Sequence, residues 1–185
     1  MSFRIAYRVL AGVAMAGIVS CFGLGPFSSH PVTAETPTLR FEVFFAGHTR
    51  GKGTLDLLTG RRLSLQVEGH GHIEADGSFR LDQIVTFEDG AVEKRTWRLV
   101  KRGPRTYTGT LSNADGTVSA EMTGNQFHLR YLLRQPAVYM EQYLYLQPDG
   151  RTVLNLATIT VIGQPWARLT EEITRVDERG PESEN

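Results

Sequence analysis

Cysteine is almost absent from this chain: Cys21 is the one cysteine among 185 residues. If the N-terminal leader described below is removed after Ala34, a disulfide, a thiol nucleophile and a cysteine metal site are all excluded from what remains. An excess of charge is also absent, because 20 basic and 20 acidic side chains cancel. That argues against nucleic acid as a partner, since dedicated nucleic-acid binders carry a basic surplus. Beyond residue 34 no window shows a sustained helical apolar stripe. There is no Gly-x-Ser-x-Gly elbow, no His-Glu-x-x-His, no P-loop and no dinucleotide fingerprint, so no motif calls for a catalytic residue, a metal or a cofactor. What is present is globular: 41% hydrophobic and 22% charged residues in a length that suits one domain.

The first 34 residues read as an export leader. Arg4 and Arg8 form a basic start, Val9 to Gly25 carries no charge, and Val32-Thr33-Ala34 offers the small residues a signal peptidase reads. The expected organisation is a signal peptide over 1–34, one domain over 35–176 and a polar flexible tail over 177–185. The run Ile18-Val19-Ser20-Cys21 resembles a lipobox and makes Cys21 the candidate for lipidation, with a membrane-anchored lipoprotein as the product. A retained membrane anchor is the remaining alternative. Processing or lipidation would place the domain in the periplasm or cell envelope. Residues 1–34 hold two of the basic groups and none of the acidic ones, so residues 35–185 carry a net charge of −2.

From Leu39 onward the pattern is β. Asp76-Gly77, Asp89-Gly90, Asp115-Gly116 and Asp149-Gly150 are hairpin-type dipeptides, because both residue types tolerate positive φ. Between the turns the reading places strands near 39–45, 53–58, 63–75, 79–88, 91–101, 106–112, 117–123, 127–134, 138–147, 151–160 and 168–176. A single helical turn fits only Ala46 to Lys52. Short strands joined by tight hairpins predict an all-β antiparallel up-and-down barrel of about 8–11 strands, because closure removes exposed edges. A two-sheet sandwich is the alternative. Leu63, Leu65, Val67 and Ile73 share one face of their strand, with Gly69 and Gly71 on the same side leaving room for a bend or an interior group.

Phe44-Phe45-Ala46-Gly47, Gly51-Lys52-Gly53, Leu81-Asp82, Arg95-Thr96-Trp97-Arg98 and Tyr107-Thr108-Gly109-Thr110 follow one another, then Gly124-Asn125, Tyr131, Tyr145-Leu146, Asn155, Ala157 and Gly163. In this order and spacing, over roughly residues 41–175, the chain resembles a family of bacterial envelope proteins known as a domain of unknown function. The resemblance implies a lipocalin-like (calycin) barrel, frequent lipoprotein character and the company of enzymes that modify membrane fatty acids. Members carry acids where Gln83, Asn113 and Gln142 stand and basic residues where Leu156 and Val161 stand. Opposite charges are thus lost together here, which is coherent, because removing one partner of a buried pair strands the other.

Alternation sends Gln83, Glu93, Arg95 and Trp97 toward the interior. A buried arginine needs a partner, and Glu93, Glu141 or the anionic head of a ligand are the candidates. The predicted ligand-binding residues are Gln83, Arg95, Trp97, Tyr131 and Glu141. The expected partner is a lipid or another hydrophobic small molecule, with association with the envelope membrane as a further expectation. Glu68, His70, His72 and Glu74 share one strand face, where a metal site competes with a solvated wall; the solvated wall is adopted. Tyr139, Tyr143 and Tyr145 line a face with Glu141. The main functional expectation is a non-catalytic binding protein. The alternatives are an accessory factor or enzyme acting on fatty-acyl chains, with Asp82 and Glu141 as acid–base groups, and a ligand-free interaction module using the tyrosine face.

Overall fold

A computed structural model describes Pro31 and residues 33–176. The chain forms one short helix, α1 (Phe41–Phe44), and ten strands: β1 (Gly47–Leu57), β2 (Arg62–Ile73), β3 (Phe79–Phe87), β4 (Val92–Lys101) and β5 (Thr106–Leu111), then β6 (Val118–Thr123), β7 (Gln126–Arg134), β8 (Val138–Leu146), β9 (Thr152–Val161) and β10 (Gln164–Arg175). Each strand pairs antiparallel with its sequence neighbour, and β1 pairs with β10 to close the barrel. The up-and-down barrel is therefore the observed architecture, and the sandwich alternative is excluded. Lys52↔Glu172 and Leu55↔Leu169 lie on the closing seam, so the edge that an open meander would expose is fully paired.

The turns follow the dipeptides for local reasons. Gly77, Gly90 and Gly150 have φ of 79°, 78° and 66°, in the left-handed region that glycine enters without steric cost. In each of these turns the aspartate accepts backbone N–H bonds, as Asp149 Oδ1 does from Arg151 and Thr152. Asp115-Gly116 behaves differently: it belongs to the wider loop between β5 and β6, and Gly116 is not left-handed.

The predicted strand at 39–45 is α1 instead, and the residues from Ala46 hold no helical turn. Phe41, Phe44 and Phe45 fall three and four apart, which one helical turn gathers on one side. That side plugs the end of the barrel. Phe41 meets Phe45 at 4.4 Å, Phe127 at 5.0 Å and, edge-on, Phe79 at 5.7 Å. Glycine makes the plug fit, because a Cβ on Gly71 would overlap the Phe45 carbonyl oxygen. Leading into the plug, Leu39 N–H donates to Gly124 O at 2.9 Å. The opposite end, formed by the β1–β2, β3–β4, β5–β6, β7–β8 and β9–β10 turns, is the mouth.

Candidate functional site

Inward alternation on neighbouring strands sets a polar belt across the middle of an apolar interior. On β3 and β4, Gln83 Oε1 accepts from Arg95 Nε and from Trp97 Nε1, both at 2.8 Å. Gln83 and Arg95 are direct cross-strand partners, so the contact is fixed by register. On the far wall a hydrogen-bond chain runs from β7 to β10. Tyr131 OH donates to Met140 Sδ at 3.0 Å and accepts from Gln142 Nε2 at 2.8 Å. Asn155 Nδ2 then bridges Gln142 Oε1 at 3.1 Å and Glu171 Oε2 at 3.0 Å. The Trp97 and Tyr131 rings join the two arcs edge-on at 5.4 Å.

Glu171 is the carboxyl of the belt and is 2% exposed. Burial pushes its pKa above the ordinary value, against the opposing pull of the Arg95 charge and the Asn155 amide. Its Oε1 meets no hydrogen-bond partner among the described residues, and neither does Asn155 Oδ1. Gly51 makes room for the carboxyl, since a Cβ there would overlap Glu171 Oε1. Tyr131 is likewise pushed up to about 12 by burial, only partly relieved by Arg95 and Gln142, so its hydroxyl keeps its proton as a donor.

The belt separates two small apolar chambers. The mouth-side chamber holds about 30 Å³ and is lined by Leu55, Leu65, Phe87, Leu133, Met140 and Leu169 among others. The plug-side chamber holds about 20 Å³ between the belt and Phe41 and Phe45. Arg95 and Glu171 face both. Each is room for about a water or two, against roughly 300–1,000 Å³ for a typical small-molecule site.

Four of the five sequence-predicted site residues converge: Gln83, Arg95, Trp97 and Tyr131 all lie inside. Glu141 does not. It sits on the outer wall, 42% exposed, accepting from Tyr143 OH at 3.1 Å and sharing a 2.8 Å bond with His128 Nε2. Its position is odd-numbered and shares the outward face with Tyr139 and Tyr143, while even-numbered Gln142 takes the inward place. The buried acid facing Arg95 is Glu171 instead. Glu171, Asn155 and Gln142 were all absent from the predicted site. A signal for two of them exists: Leu169 and Ile173 flank Glu171, and Val153 and Ala157 flank Asn155, at the spacing of one strand face.

Asp82 and Glu141, the acid–base pair of the enzymatic alternative, stand on outer walls of β3 and β8, five strands apart around the ten-stranded ring. Asp82 is held by Arg80 at 2.9 Å and by the Thr96 hydroxyl, and its pKa is lowered chiefly by Arg80. They cannot act on one bond together. Glu68, His70, His72 and Glu74 face outward as the alternation requires. His70 stacks on His48 at 4.4 Å, and Glu74 binds Arg98 at 2.9 Å. Among the described residues, no three His, Cys, Asp or Glu side chains are grouped to hold a metal. On the tyrosine face, Tyr143 stacks on His128 at 4.3 Å and Tyr145 is buried. Cys21 and the 177–185 tail lie outside the described residues.

The closed antiparallel up-and-down barrel is lipocalin-like in fold. A phycobiliprotein lyase from Guillardia theta shares this fold, with a TM-score of 0.61 at 11% identity over 75% of this chain and 92% of that one. A protein of unknown function from Nostoc punctiforme, of the DUF3598 family, gives 0.57 at 14% identity, over 76% of this chain and 50% of that one. No curated protein matches the sequence. The chain belongs to the family described as protein of unknown function (DUF3833), whose model matches residues 18–175.

Proposed function

We propose that this protein is an exported, non-catalytic barrel that binds a small hydrophobic molecule in the cell envelope and meets that molecule's polar head with the belt. The carrying observation is the belt's unsatisfied chemistry. Glu171 Oε1 and Asn155 Oδ1 are buried without partners, and Arg95 makes one hydrogen bond, through Nε, among the described residues. Buried polar atoms are normally paired, and an unpaired one calls for a water, an ion or a ligand. An anionic or carbonyl head beside Arg95 and Glu171 accepts from the guanidinium N–H groups of the one and from the hydroxyl that the other carries when protonated. The tail then occupies the mouth-side chamber, whose lining includes Met140, an unbranched side chain that rearranges readily.

Native mass spectrometry of the exported protein, before and after organic extraction, tests this. A co-purifying hydrophobic molecule at near-equal stoichiometry is expected, and Arg95→Met is expected to release an anionic one while the melting temperature holds. A protein that emerges empty and takes up no hydrophobic probe overturns the reading. The chamber volumes favour a second reading in that event: a filled barrel serving as a ligand-free scaffold.

Export itself rests on the basic, uncharged and small-residue order of the leader. Ala34 bears on where the leader ends. Its N–H donates to Asn125 Oδ1 and its carbonyl accepts from Asn125 N–H, both at 2.8 Å. A Cβ on Gly124 would overlap that same carbonyl oxygen. A chain cut after Ala34 loses this joint. The joint, and a family match that begins at residue 18, support processing upstream, with acylated Cys21 as the first residue. An intact mass equal to a chain starting at Glu35 sinks this assignment.

A further inference from the structure

The β9–β10 turn breaks two rules at one residue. Ile162 and Gly163 have φ of 49° and 75°, so both central positions of this hairpin are left-handed, where Asn-Gly or Asp-Gly is the favoured pair. A β-branched residue there is a genuine outlier. Ile162 is also 77% exposed, the most of any large apolar side chain described. Among the described residues nothing covers the Ile162 side chain, and the turn is tied to the β7–β8 turn through the backbone, by Ile162 N–H to Ala137 O at 3.0 Å. An outlier retained at this cost points to a contact outside the fold.

The surroundings say what kind. The neighbouring β1–β2 turn is joined to this corner by Leu58 N–H to Trp166 O at 2.8 Å. It brings half-buried Leu58 and Trp166 beside Ile162, with exposed Arg61 next to them. On the far side of the β1–β2 turn, the adjoining β3–β4 turn carries exposed Glu88 and Asp89, whose carboxylates accept from the backbone N–H groups of Ser64 and Ala91. The corner is thus an apolar tip with one exposed cation, bordered on the β3 side by acids that hold backbone N–H groups. We propose that the corner formed by the β9–β10 and β1–β2 turns is a membrane-contact edge, with Ile162 entering an anionic phospholipid surface and Arg61 facing its headgroups. A projecting apolar tip flanked by a cation matches the chemistry of interfacial anchoring. A convex tip with one exposed isoleucine offers little of the roughly 1,200 Å² that a stable second copy would bury. This inference does not depend on a ligand inside the barrel.

The test is binding of the exported full chain to vesicles of phosphatidylethanolamine and phosphatidylglycerol, against phosphatidylcholine alone. Brominated lipids quench tryptophan and so report whether Trp166, at the rim, meets the bilayer, whatever anchors the N-terminus. The wild type is expected to be quenched by the anionic vesicles, and Ile162→Asn to lose tenfold or more of that quenching. Asparagine suits the left-handed position, so this variant is expected to melt no lower than the wild type, which separates lost contact from lost fold. Arg61→Glu is expected to weaken quenching on anionic vesicles, and Ile84→Asn, on the outer wall, to leave it unchanged. Quenching that survives Ile162→Asn, or a wild type unquenched by either vesicle, overturns the proposal. A wild-type dimer that Ile162→Asn converts to monomer also overturns it, and assigns the tip to a second copy.

Discussion

The two ends of the barrel are closed by different means. At the plugged end, aromatic rings interlock: Tyr107 meets Phe127 at 5.1 Å, and Phe44 meets Phe45 at 4.9 Å. A hydrogen bond staples the plug to the wall, with Tyr107 OH donating to the Glu42 carboxylate at 3.0 Å. At the mouth, mostly aliphatic side chains with Met140 and Phe87 surround a chamber, and the rim carries a strained turn. The plugged end is built like a core and the mouth like a surface that can yield. A binding barrel needs that asymmetry, because its low-stability elements must lie where the occupant enters.

The comparison breaks first if the plug is not the stronger end. Phe127→Ala is expected to cost about 3–5 kcal/mol, since a buried ring leaves a cavity its neighbours cannot fill. Leu133→Ala, at the mouth, is expected near 2 kcal/mol, the low end for such truncations, because its neighbours already border open space. Equal losses in chemical denaturation would erase the distinction. Gly71→Ala sharpens it: the new Cβ must displace the Phe45 carbonyl, so roughly 2–3 kcal/mol and detachment of α1 are expected, read by denaturation and by protease sensitivity before Gly47.

Glu171→Gln probes the belt between the ends. The folded chain holds the carboxyl proton above the ordinary value of 4.5 and the unfolded chain does not. Glu171 therefore contributes stability that is full below that value and lost as pH rises through the raised native pKa. Glutamine keeps an acceptor for Asn155 and removes the buried ionisation. It is expected to flatten the loss of stability with rising pH and to raise the melting temperature at pH 8 by roughly 2–4 °C, the shift of about 1 kcal/mol in a domain of this size. Parallel pH profiles for both proteins would refute the raised pKa. The smallest effect is Tyr107→Phe, which removes one staple at about 0.5–1.5 kcal/mol. It falls at the low end if Arg40 and Lys101 keep Glu42 satisfied, as their 3.1 Å and 3.7 Å contacts allow.

Sequence alone was enough for strands and turns because those signals are local. Asp-Gly pairs set hairpins through the φ that aspartate and glycine tolerate, and the period-2 pattern on β2, β3 and β4 places Leu65, Gln83 and Trp97 on the inner face without any neighbour in view. Gln83, Arg95 and Trp97 were legible for the same reason, whereas Tyr131 came with the family resemblance. The helix at Phe41–Phe44 was not, because four residues are too few to show a period, and only the barrel end they cover makes one helical turn the better arrangement. Glu171 illustrates what tertiary structure alone decided. Glu171 and Glu172 are adjacent acids on one strand, and Leu169 and Ile173 mark the face of Glu171 as the apolar one, but the strand by itself does not say what that carboxyl meets. The β1–β10 register sets Glu171 beside Gly51 and Gly53, and the missing side chain of Gly51 leaves space for a carboxyl. Closure of ten strands then brings Arg95 from β4 and Glu171 from β10 to opposite walls of one interior, an arrangement set by shape and not by spacing along the chain.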